Sequence, residues 1–377
     1  MTSTNKDPIL VVVQLTGAND YMNTVIPYSN PLYHDNRPTV GIPAEDVLPI
    51  DDDLGFNPAA APLKELYGRG KLALINGVGY PNPNRSHFRS MDIWHTCEPD
   101  RIATEGWLGR AIRDLDPQGE NVLTGLNLGR GLPRAMALPG VPVASVGDVD
   151  SYGILTGFSD QKKRQTALDV FAGMYAPAIG SGQVMDYLGQ TGRDAMLGAE
   201  LLKNAPANYA STIEYHDSPI GRNLRGIAKV LLAGLGTRIF YTQHAGYDTH
   251  ANQGPTQPQL LSELSNAVSD FHADLTEHGA SDNVLIYVFT EFGRRVKDNG
   301  SGTDHGSGGG SFIIGDRVNG GLYADYPSLD PNQWLDGEDL THTIDFRGVY
   351  ATLLEQWMGL DAVPIVGGSY EQIQPFH

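Results

Sequence analysis

The chain has 377 residues, 40% of them hydrophobic and 19% charged, a balance that suits a globular protein with one large core or two smaller ones. Its 44 Asp and Glu outweigh 26 Lys and Arg, for a net charge of −18. Such a surface repels a phosphate backbone, so nucleic acid is not an expected partner. No apolar run approaches the roughly 18 residues needed to cross a bilayer, so no membrane span is expected. The single cysteine, Cys97, excludes an intrachain disulfide and a cysteine-based zinc site.

The segment from Met1 to Asp7 is polar and carries no visible signal peptide. The chain is expected in the cytoplasm if complete, and outside it if an export signal was removed. Ile9–Leu15 is a continuous apolar run, which predicts a strand buried on both faces. It ends in the turn-forming cluster Thr16-Gly-Ala-Asn-Asp20. Pro58–Tyr67 reads as a helix closed by Gly68, and Lys71–Val78 as the next strand, giving a β-α-β alternation and a parallel sheet. Ser86 then opens a helix reaching about Trp94.

Residues 117–218 are glycine-rich and irregular, with helical patterning at Gln165–Tyr175 and Val184–Lys203, and read as an insertion or lid. The alternation resumes with a helix near Ile220–Leu235, a strand at Arg238–Gln243, a helix at Pro258–His278 and a strand at Val284–Thr290. A short strand at Ser311–Ile314 and a helix at Phe346–Met358 complete what we read as one large domain.

In an open parallel sheet, ligands bind beyond the carboxyl ends of the strands. Acidic and imidazole groups recur there: Asp20 after the first strand, His244 to His250 after Arg238–Gln243, and Glu291 after Val284–Thr290. Asp304-His305 follow in a glycine-rich loop. Asp248 and His250, two residues apart, face the same side of an extended segment and could share an ion; a turn in which Asp248 caps the backbone is the alternative. Carboxylate with imidazole suits zinc, manganese or iron. Glu291 could instead pair with Arg294 or Arg295. Ser86 stands where an N-cap is expected, and the same position would present its hydroxyl as a nucleophile at the positive helix end. His87 could be a ligand, a proton carrier or a packed side chain.

Several strings taken together resemble a known bacterial family. They are Thr16-Gly-Ala-Asn-Asp20, Ser86-His-Phe-Arg-Ser-Met-Asp-Ile-Trp94, Gly246-Tyr-Asp-Thr-His250, Thr290-Glu-Phe-Gly-Arg294, Asn299-Gly-Ser-Gly-Thr-Asp-His-Gly306 and Asp345-Phe-Arg347. The chain is identified by them as a member of domain-of-unknown-function family 1501, a distant relative of the alkaline phosphatase and sulfatase superfamily. The resemblance implies an alkaline-phosphatase-like α/β fold, a mostly parallel sheet flanked by helices.

It also implies a site with one or two divalent ions, zinc, manganese or similar, held by Asp20, Asp248, His250, Glu291, Asp304 and His305. Ser86 would be the nucleophile, His87 would assist, and Arg294 or Arg89 would neutralise developing charge. The implied substrate is a small anionic phosphate or sulfate ester. The sequence departs from the superfamily where a strand should end in Asp-His-Gly: Glu291 can replace the acid, but Phe292 cannot bind a metal, and His87 or Asp304 would have to fill the gap. The alternative function is a non-catalytic binding protein that keeps the fold.

Overall fold

The computed structural model describes residues 7–150, 182–203, 205 and 209–377, with Lys163, Thr166, Val170 and Gly173 between. Among these residues the central element is a nine-stranded sheet. Its strands are β1 (Ile9–Thr16), β2 (Leu72–Gly79), β3 (Gly125–Leu128), β4 (Ala144–Val146), β5 (Ile239–Ala245), β6 (Val284–Thr290), β9 (Gly309–Ile314), β10 (Gly321–Tyr323) and β11 (Ile344–Asp345). A hairpin of β7 (Arg294–Asp298) and β8 (Thr303–His305) lies beyond β6.

The sheet order is β10-β2-β9-β6-β1-β5-β3-β4, with β11 also on β2. Only β9 runs against the others. The three strands predicted to be central, β1, β5 and β6, lie side by side in its middle.

The reason is visible in β1. Successive side chains leave opposite faces of a strand, and both faces are covered. Val11, Val13 and Leu15 join one core, Leu10 and Val12 the other. Each fully buried aliphatic side chain contributes about 1.5–3 kcal/mol. The first face is covered by α1 (Ala61–Gly68), α5 (Pro219–Leu232) and α6 (Gln253–Glu277). The second is covered by α2 (His87–Thr96), α3 (Trp107–Leu115) and α7 (Phe346–Thr352). On that face Trp94 stacks between Phe346 and Phe289, at 4.4 and 5.4 Å between ring centres, so Trp94→Ala should cost about 3–5 kcal/mol.

Four differences from the sequence reading have physical causes. First, β3 and β4 fall inside the stretch read as irregular, yet β3 pairs in parallel with β5 and extends the sheet. They are too short for an apolar run to announce them. Second, α3 went unread although Trp107, Leu108, Ala111 and Ile112 are buried along one face.

Third, α6 begins at Gln253, five residues before the expected Pro258. Pro258 therefore stands inside the helix, where it has no N–H to give to the backbone ladder, and the start is held by tertiary bonds from Gln253 and Gln257 to Asp20. Fourth, the last helix changes to a π turn over Leu353–Met358, ended by the left-handed Gly359. The helix expected at Val184–Lys203 is present as α4 (Gln183–Leu202). Apart from Thr166, Val170 and Gly173, the one expected at Gln165–Tyr175 lies outside the described residues.

Candidate metal centre

The carboxyl ends of β1, β5 and β6 bring three loops together, and the hairpin β7–β8 and the start of α2 complete the group. Gly17, at φ 113°, makes the close approach possible, since a Cβ there would lie 2.5 Å from the backbone nitrogen of Asp248. Only glycine tolerates both the contact and the conformation. The Gly17 N–H in turn donates to Glu291 Oε1 at 3.1 Å.

Four atoms then converge: Nε2 of His87, His250 and His305, and Oδ1 of Asp248. His305 Nε2 lies 2.8 Å from His87 Nε2, 2.9 Å from His250 Nε2 and 3.1 Å from Asp248 Oδ1. Asp248 Oδ1 is 3.4 Å from His87 Nε2 and 3.1 Å from His250 Nε2.

The outer nitrogens of the three rings decide their tautomers. His87 Nδ1 faces Glu291 Oε1 at 2.8 Å, His250 Nδ1 faces Asp304 Oδ1 at 2.9 Å, and His305 Nδ1 faces the Arg85 carbonyl at 2.7 Å. A carbonyl or an ionised carboxylate only accepts, so each Nδ1 carries a proton and each neutral ring turns its Nε2 lone pair inward. Three lone pairs and a carboxylate at one point need a cation or shared protons between them. Imidazoles oriented by carboxylate or carbonyl acceptors are the arrangement that supports metal ligation.

The donor set fits a zinc-like ion. Tetrahedral ligands at about 2.0–2.1 Å from a metal stand about 3.3–3.4 Å apart, and the ligand atoms of His87, Asp248 and His305 all lie within 4.8 Å of one another. Asp248 and His250 are 47% and 45% exposed, which leaves the group open on one side for a further ligand.

The electrostatics agree. Burial opposes ionisation of Asp248, but the hydrogen bond and charge of Arg294, with His305 and His87, outweigh it and bring its pKa to about 2. The Glu291 hydrogen bond raises the pKa of His87. Burial lowers that of His305, which keeps its inner lone pair available. Asp304 is held low by its bond from His250.

The predicted residues divide into those gathered here and those spent elsewhere. Asp248, His250 and His305 supply inward atoms, while Glu291 and Asp304 bond to imidazoles from behind. His87, counted among the catalytic residues, supplies an inward atom as well.

Asp20 departs from the expectation. It is buried, its carboxylate pairs with Arg37 Nη1 and Nη2, and Gln253 Nε2 donates to Oδ2 at 2.6 Å. Neither Arg37 nor Gln253 was singled out in the sequence. Gln257, one turn after Gln253, donates to the Asp20 carbonyl at 2.8 Å, and the i, i+4 spacing of the two glutamines was the available signal.

Arg294 departs too. Its side chain is fully buried, and it donates to the carbonyls of Gly17, Ala18, Tyr247 and Thr303 and to Asp248 Oδ1 at 2.7 Å. It holds Asp248 in place and cannot reach a substrate.

Arg89 pairs with Asp92 and donates to carbonyls of the loop after α2. Phe292 is buried and stacks on His87, 5.0 Å between ring centres and 26° between planes. Ser86 is the N-cap of α2, exposed, and makes no side-chain cap bond. Its neighbours in the chain, Arg85 and His87, both touch the cluster.

No protein of curated function matches the chain. Among solved structures, it is similar to a protein in the alkaline phosphatase superfamily from Vibrio parahaemolyticus, with 10% identity, 98% of this chain and 71% of that one covered, and a TM-score of 0.40. It is also similar to the PsFucS1 sulfatase from Pseudoalteromonas sp., with 11% identity, coverages of 96% and 68%, and a TM-score of 0.38. At such identities the chemistry has to be read from this chain's own residues. Residues 181–365 match the family described as Protein of unknown function (DUF1501).

Proposed function

We propose that the chain is a metal-dependent hydrolase of phosphate or sulfate esters built around one divalent ion, zinc or manganese. The observation that carries the reading is the convergence of three inward imidazole lone pairs with the Asp248 carboxylate, each ring fixed by an acceptor behind it. His87, His250, His305 and Asp248 would hold the ion. Glu291, Asp304 and the Arg85 carbonyl would fix the rings, and Arg294 would aim Asp248. An ion held there would polarise the ester oxygen and offset charge developing in the transition state.

Ser86 would supply the attacking hydroxyl, being exposed at the start of α2 and not spent on its own helix. The choice of ester follows the family resemblance. One ion is favoured over two because Asp20 is neutralised by Arg37 and Phe292 packs an apolar ring against His87.

The test is metal analysis of protein loaded with zinc or manganese, paired with a screen of phosphate and sulfate esters. The expected result is one ion per chain, ester turnover abolished by a chelator, and loss of both in His305→Ala. A folded wild-type chain that takes up neither metal would refute the reading. Stoichiometric metal without turnover of any ester would leave the non-catalytic binding protein as the function.

A further inference from the structure

A cavity of about 590 Å³ opens directly beside the cluster, and His87 and Glu291 form part of its wall. Its volume suits a small organic ligand. The floor is made by Gln14 and His95, whose Nε2 lies 3.0 Å from Gln14 Oε1. Tyr241 also donates to that oxygen, so the floor is polar but its donors and acceptors are matched to each other.

The far wall contains Arg89 and Arg134, which share Asp92 between them. Arg89 is further committed to the carbonyls of Glu98, Pro99 and Arg101, so these cations are turned toward the protein. The mouth is different in kind. Phe88 and Ile102 line it at 91% and 80% exposure, and Met91 lies beside them. Large apolar side chains left in water around a cavity are covered when a complementary apolar group enters.

We infer that this cavity holds an uncharged aromatic group on the alcohol side of the ester. The inference rests on the hydrolase reading for the role of that group as leaving group. An ester whose oxyanion sits at the His87 side would extend along the wall shared with the cluster and place its ring against Phe88, Met91 and Ile102. A second anionic group at that end would find only the apolar mouth and an Arg pair already neutralised in part by Asp92. The preference is therefore for aryl esters over methyl esters or bisphosphates.

Naphthol, which fluoresces, tests occupancy without any turnover. Titrated into the full chain, it should bind saturably at one site, and Phe88→Ala and Ile102→Ala should each weaken binding roughly tenfold through lost apolar contact. In parallel, the KM for naphthyl phosphate or sulfate relative to that for the methyl ester should rise by a similar factor in both variants. Phe88 and Ile102 are exposed, so neither variant threatens the fold.

Absence of saturable naphthol binding, or equal binding by wild type and both variants, would overturn the inference. The hydrolase reading fails separately: naphthol binding that depends on Phe88 and Ile102, in a chain that hydrolyses no ester, refutes that reading and the leaving-group role while sustaining the cavity as an aromatic site. Hydrolysis of both esters with equal KM and no naphthol binding overturns the cavity alone.

Discussion

Arg37→Met tests whether Asp20 belongs to an ion pair or to a metal. In the native chain the two side chains are 0% and 1% exposed. Arg37 also donates to the carbonyls of Val296 at 2.6 Å and Arg295 at 2.7 Å. Methionine keeps the apolar stem and removes the charge, leaving a carboxylate in the interior with one amide donor, Gln253 Nε2.

Breaking a buried pair from one side costs about 3–5 kcal/mol. The remaining Gln253 bond argues for the lower end of that range, and the two abandoned carbonyls push the other way. With an unfolding entropy of about 2.1 cal/mol/K per residue, a chain of this size loses about 5 °C of Tm for 4 kcal/mol.

Asp20→Asn alone should cost a comparable amount, because it strands the guanidinium. The double variant Asp20→Asn with Arg37→Met should recover a substantial part of the loss. Denaturant unfolding of all four proteins, with metal analysis of each, reads both quantities. Metal content should stay at the wild-type value throughout. If Asp20→Asn empties the metal centre, or if Arg37→Met destabilises by less than about 1 kcal/mol, the assignment of Asp20 to Arg37 is wrong.

Three further outcomes follow from the same geometry. Glu291→Gln keeps the shape of the side chain but weakens its hold on the His87 Nδ1 proton, so zinc affinity should fall about 10–100-fold in a chelator competition; an unchanged affinity would remove Glu291 from the centre. Ser86→Ala should abolish ester hydrolysis and leave metal content intact. Its stability should change by less than about 0.5 kcal/mol, because the side chain makes no cap bond to lose. Full activity in that variant would make water the nucleophile.

The third concerns His95, whose pKa burial lowers from 6.5 to about 3. The folded value lies below the unfolded one, so the unfolded chain binds the extra proton between them. The stability tied to the neutral ring is present above about pH 6.5 and is lost as pH falls toward about 3, with a slope approaching 1.4 kcal/mol per pH unit. His95→Gln should flatten that limb in urea unfolding at several pH values, and an unchanged slope would contradict the burial argument.

The sequence by itself determined the architecture and most of the residues gathered in the candidate metal centre. Ile9–Leu15 and Val284–Thr290 are apolar without interruption, and a strand that must bury both faces belongs in the middle of a parallel sheet. Strands in such a sheet present their carboxyl ends together, so Asp248, His250, Glu291 and His305 were legible as neighbours from their positions after strands. Short strands toward the edge of the sheet such as Gly125–Leu128 lacked that signal, because four residues show no period.

Only the tertiary structure decided what each group does there. Asp20 and Arg294 carry the right chemistry at the right strand ends, yet one is neutralised by Arg37 from a loop, and the other is wrapped in backbone carbonyls. His87 gains its inward nitrogen because Glu291, 204 positions later, claims the other one. A side chain's type limits the bonds it can make, but which bonds it makes depends on the partners that burial brings within about 3 Å, and those partners are set by the packing of distant segments.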